Sequence, residues 1–149
     1  MISTTIDQEI KQAMLAKDQA KLRGLRAIKA ALLLAKTEKG HAEELTADGE
    51  IKILQKLVKQ RKESATIYKE QGRDDLFQVE QEEIDVISKF LPQQLERGEI
   101  EQVIAKIISE TGATSVKEMG KVMGLANKEL AGKADGKLIG EIVKLQLAN

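Results

Sequence analysis

Gly112-Ala-Thr-Ser-Val-Lys-Glu-Met-Gly-Lys-Val-Met-Gly124 is followed by Leu-Ala-Asn-Lys-Glu-Leu-Ala131 and then by Gly132-Lys-Ala-Asp-Gly-Lys137. Apolar residues at Met119, Val122, Met123 and Leu130 recur at helical spacing, and Ser115 with Glu118 has the pattern of a capping box. Gly132 can end this helix in a left-handed turn, and Asp135 can cap the next. That last helix carries Leu138, Ile139, Ile142, Val143 and Leu145 on one stripe. Two short helices joined by a glycine- and lysine-rich turn make a compact module, better suited to docking than to a catalytic cleft.

The same periodicity extends upstream. Ile100, Val103, Ile104, Ile107 and Ile108 predict a helix closed by Gly112, so residues 92–149 read as a carboxy-terminal three-helix subdomain. Pro92, the only proline, disfavours helix at Leu91 and marks the boundary. Residues 1–91 read as an amino-terminal set of helices, two of them long. Ile6, Ile10, Ala13 and Met14 form one face of a first helix, opened by Thr5 and Gln8 as a capping box. After a break at Lys17-Asp18, Leu22, Leu25, Ile28, Leu32 and Ala35 mark a second helix ending near Gly40. Gly40 to Gly49 reads as a polar loop. Thr46 can cap a third helix with Ile51, Leu54, Val58, Ala65 and Tyr68 on its stripe. A fourth starts near Asp74 and uses Leu76, Phe77, Ile84, Ile87, Phe90 and Leu91. Strand alternation is absent at useful length, so the fold class is all-α.

Composition supports helical layers around a thin aliphatic core: 149 residues, 2% aromatic, 32% charged and no cysteine. Absence of cysteine removes disulfides, thiolate metal sites and cysteine nucleophiles. The amino terminus has no basic stretch followed by an apolar one, so no secretory signal is expected. The longest apolar run, Ala30 to Ala35, falls far short of the roughly 20 residues needed to cross a bilayer. A soluble cytoplasmic protein follows as the expectation, with no membrane partner.

Net charge is zero, but its distribution is uneven. Lys52, Lys56, Lys59, Arg61 and Lys62 lie together without an acid, while Glu70, Asp74, Asp75, Glu80, Glu82, Glu83 and Asp85 face only Arg73. Either two neighbouring helices complement each other's charge, or the basic face meets a phosphate backbone. Arg61 falls on the apolar stripe of the third helix. It either snorkels to solvent or meets a carboxylate of the fourth helix.

Chemistry-bearing constellations are scarce. His41 is the only histidine, and His41-Ala-Glu-Glu lacks the second imidazole of a zinc-gripping helix, so no metal is expected. Gly132 to Lys137 shares glycines and lysine with a phosphate loop, but the glycine spacing is one short and Leu138 replaces the Mg²⁺-binding hydroxyl. A nucleotide cofactor is not expected. No serine has a histidine placed to activate it. Gly120 and Gly124 stand four apart within one helix, each costing up to ~1 kcal/mol relative to alanine. Such a pair suggests close approach of another backbone, from a neighbouring helix or a partner.

Met119-Gly-Lys-Val-Met-Gly124, Gly132-Lys-Ala-Asp-Gly-Lys137, Lys59-Gln-Arg-Lys-Glu-Ser-Ala65, Gly72-Arg-Asp-Asp-Leu76 and Phe90-Leu-Pro92 together resemble the YqeY family over essentially the whole chain. That family is similar to the tail of the B subunit of glutamine-dependent aspartyl/glutamyl-tRNA amidotransferase (GatB), an all-helical appendage associated with tRNA. The resemblance implies the family label of carbon–nitrogen ligase activity with glutamine as amido-nitrogen donor, a property of the full complex. It also implies a tRNA contact through Lys121, Lys128, Lys133 and Lys137, with Gly120, Gly124, Gly132 and Gly136 shaping the surface. Catalytic residues, cofactor and metal are expected to be none. A protein-interaction adaptor is the alternative reading.

Overall fold

The computed structural model describes residues 1–38 and 45–148. Among them the chain forms α1 (Ile2–Leu15), α2 (Gln19–Glu38), α3 (Ala47–Glu70), α4 (Asp74–Ser88), α5 (Arg97–Thr111), α6 (Met119–Glu129) and α7 (Gly136–Ala148). A single 3-10 turn, Val116–Glu118, precedes α6. No strand occurs among the described residues, and the protein is all-α. Gly40 and His41 lie outside the described residues. Among the described residues no helix is long and apolar enough to cross a membrane.

Two compact units divide the chain, Met1–Pro92 and Gln93–Asn149. In the first, Leu25, Ile28, Leu54 and Ile87 are fully enclosed by α1 to α4, with Ile6, Leu22 and Ile84 around them. In the second, Ile100, Ile104, Val122, Ala126, Ile142 and Val143 form the centre. Each buried Leu or Ile contributes about 1.5–3 kcal/mol of apolar transfer free energy, so these residues decide which helix faces turn inward.

Helix ends show why the elements stop where they do. Lys17 takes a left-handed φ of 55° between α1 and α2, and Asp18 Oδ1 accepts the Lys21 amide at 3.1 Å as a cap. Thr46 Oγ1 accepts the Gly49 amide at 3.0 Å and starts α3. Gly49 therefore lies inside this helix rather than in the preceding loop. Gly112, at φ 70° and ψ 18°, closes α5 as its spacing suggested.

Three local expectations are corrected. The Thr5–Gln8 capping box does not form, because α1 already begins at Ile2 and the Thr5 hydroxyl bonds back to the Ile2 carbonyl at 3.3 Å. The cap comes from a distant helix instead: Glu50 of α3 accepts the Ile2 and Ser3 amides, each at 2.9 Å. Glu50 is 1% exposed, a buried carboxylate satisfied by the free N–H groups at a helix start. Ser115 caps the 3-10 turn through the Lys117 amide, while Glu118 reaches the Thr114 amide rather than that of Ser115. The box is thus displaced by one residue. On α7, Leu145 is 56% exposed, and Leu147 occupies the buried position beyond Val143.

Arg61 resolves in favour of an ion pair. Its Nε donates to Glu83 Oε2 of α4 at 3.0 Å, with both side chains less than one-fifth exposed. Arg23 of α2 pairs with Glu82, so the acidic helix is partly neutralised by two neighbours.

Candidate functional site

The α6–α7 connection is built by two anchors and a left-handed glycine. Leu130 is 1% exposed and Ala134 is 9% exposed, so apolar contact fixes both ends of the turn. Gly132 lies between them at φ 74°, a conformation that side-chain-bearing residues rarely adopt. Lys133 then donates its amide to the Leu130 carbonyl at 2.9 Å.

This geometry gathers three of the four lysines singled out from sequence. Lys128 is in the last turn of α6, Lys133 is in the connection and Lys137 is in the first turn of α7. Lys121 lies on the same face of α6 as Lys128, two turns earlier and roughly 10 Å along the axis. All four are exposed. None makes an ion pair among the described residues. From Gly112 to Asn149 there are six lysines against four acids, an excess of two in a chain that is neutral overall.

The glycines play different parts. Gly132 is required by the turn. A Cβ added at Gly120, Gly124 or Gly136 would meet no atom within 4 Å. The expected close approach of a neighbouring helix at Gly120 and Gly124 is therefore corrected: both face solvent, opposite the buried Val122 and Ala126. Exposed Leu125 borders them. On α7 it is Gly140 that faces a neighbour, with Met123 Cε 3.7 Å from its added Cβ.

Two further groups escaped sequence reasoning. Lys144 lies seven residues after Lys137 on α7 and is also exposed, a relation that helical spacing alone could have supplied. Gln94 and Leu95, outside any helix, reach the lysine-bearing turn: Gln94 Nε2 donates to the Gly132 carbonyl at 2.7 Å, and the Leu95 amide donates to the Lys133 carbonyl at 2.9 Å. Nothing local in sequence announces that long-range contact.

Chemically the surface offers exposed amines, suited to attracting an anion. Displaced protonation is found in the other unit. Glu80 is pushed up by burial and by the nearby Glu83, with Arg61 opposing. Asp75 is held low by the hydrogen bond from Arg73, which is raised in turn. Among the described residues no three His, Cys, Asp or Glu side chains are grouped to hold a metal ion.

The protein is 29% identical over 137 residues to "Altered inheritance of mitochondria protein 41, mitochondrial" of Meyerozyma guilliermondii, an alignment covering 85% of this chain and 70% of that protein. It is 28% identical over 132 residues to the protein of the same name in Clavispora lusitaniae, covering 86% of this chain and 75% of that one. The model of the Yqey-like protein family matches residues 3–147, so the chain belongs to that family.

Proposed function

We propose that the protein is a non-catalytic binding module for tRNA, holding folded RNA by its backbone through the α6–α7 end. The observation that carries this reading is the placement of Lys128, Lys133 and Lys137 in and around the α6–α7 connection, with Lys121 two turns before Lys128 on α6, all exposed and without an ion-pair partner among the described residues. Residues 93–149 contain no Phe, Tyr or Trp, which disfavours stacking on unpaired bases and favours recognition of shape and phosphate. The charge excess is small, so affinity is modest and salt-sensitive. Resemblance to the GatB tail supports the same ligand and explains a carbon–nitrogen ligase label as one earned only within a larger complex. A cytoplasmic location belongs to this proposal; the yeast relatives carry "mitochondrial" in their names, and fractionation of tagged protein distinguishes the two.

An electrophoretic titration with bulk tRNA at low and moderate salt tests the reading. Saturable binding that Lys133→Glu with Lys137→Glu abolishes, at unchanged helicity, supports it. No shift at micromolar protein removes it. The adaptor reading is favoured by one observation, the open Gly120–Gly124 face with Leu125 beside it. Co-purification of a protein that Gly124→Leu releases would support that reading instead.

A further inference from the structure

The turn that presents Lys133 is held from outside its own helices. Gln94 Nε2 donates to the Gly132 carbonyl at 2.7 Å, and the Leu95 amide donates to the Lys133 carbonyl at 2.9 Å. Leu95 is itself partly buried against the core of the second unit, which fixes this strap in place. With the Lys133 amide bonded to the Leu130 carbonyl, both peptide groups of Lys133 are occupied. Its side chain alone remains free to meet a ligand. Gly132, at φ 74°, offers no side-chain packing of its own, so between the buried Leu130 and Ala134 the strap is what holds the middle of the turn.

We infer that Gln94 is a positioning residue for a phosphate-backbone ligand, acting through Lys133. The inference rests on the tRNA reading and deepens it. An exposed lysine on a loose turn must be ordered when it binds, and ordering opposes affinity. With the strap in place that cost is met before the ligand arrives; without it the cost offsets the gain, and the Lys133 contact is not made. Gln94 is exposed and carries no charge, so it adds no electrostatic attraction of its own. Its hydrogen bond to the Gly132 carbonyl is the route by which it acts on Lys133.

A double-mutant cycle on the full chain with bulk tRNA tests this. Gln94→Ala and Lys133→Ala should each weaken binding by about fivefold, and the double variant should be little weaker than either, because both remove the same contact. Gln94→Ala should also lower the slope of log affinity against log salt by about one unit, as Lys133→Ala does. A merely structural Gln94 would change thermal stability while leaving that slope intact. Multiplying effects in the double variant, or wild-type affinity of Gln94→Ala, overturns the positioning role while the tRNA reading stands. Failure of the parent chain to bind tRNA overturns both.

Discussion

At the scale of single residues, two carboxylates are used in opposite ways. Glu50 ties the start of α1 to α3 by accepting two backbone amides in a site closed to water. Glu50→Ala leaves those part-buried donors without their carboxylate partner and should cost about 1–3 kcal/mol in urea denaturation. Faster amide exchange at Ile2 and Ser3 should accompany it. Glu80 is half-buried, and its proton is held more tightly in the folded than in the unfolded state. A carboxyl shifted up from its ordinary value of 4.5 favours the fold below that value and loses this contribution as pH rises through the folded value. Glu80→Gln should therefore be more stable than the parent at pH 7, with the advantage shrinking as pH falls through the folded value and gone once pH is below 4.5. Paired melting curves at the two ends of that range give the check; an advantage that grows in acid would refute the assignment. Sequence made Arg61 readable as an outlier on an apolar stripe, because a lone charge among aliphatic positions demands a partner. Glu50 was not readable, since nothing local links an acid in α3 to a helix start 48 residues earlier.

At the scale of helices, glycine separates two kinds of surface. Gly24 on α2 lies so close to α4 that an added Cβ would come within 2.6 Å of Val86 Cγ1. Gly24→Ala should thus destabilise by about 1–3 kcal/mol despite its gain in helix propensity. Val86→Ala in the same chain should restore much of the loss. Gly120 and Gly124 are the opposite case, open on the outer side of α6. Alanine there should raise stability by up to about 1 kcal/mol per site. Chemical denaturation of both pairs of variants measures the contrast, and destabilisation by Gly120→Ala would show a close neighbour after all. Helix order, the Thr46, Asp18 and Gly112 ends and most of each buried stripe were legible because periodicity and capping are local rules, though Met14 at the edge of the α1 stripe is exposed. The neighbouring helix expected at Gly120 and Gly124 is absent among the described residues: the cost of glycine in a helix says that something favours it, not what faces it. Likewise Leu145 and Leu147 are two residues apart on α7, and only the packing around them selects which is buried.

At the scale of the whole molecule, a neutral chain divides into a unit rich in compensated charge and a smaller unit with unpaired lysines at one end. Arg61–Glu83 and Arg23–Glu82 consume charge inside the first. In the second, Lys128, Lys133 and Lys137 are gathered by one turn. The motif around that turn was visible in sequence, and so was its family. The strap from Gln94 and Leu95 was not, because it joins positions nearly forty residues apart through backbone carbonyls. The most direct measurement is the salt dependence of tRNA affinity for the parent chain and for Lys133→Glu with Lys137→Glu. Binding through three or four lysines predicts a slope of roughly −2 to −4 in log affinity against log salt, lost in the charge-reversed chain. A slope near zero, or equal binding by both chains, would contradict the account.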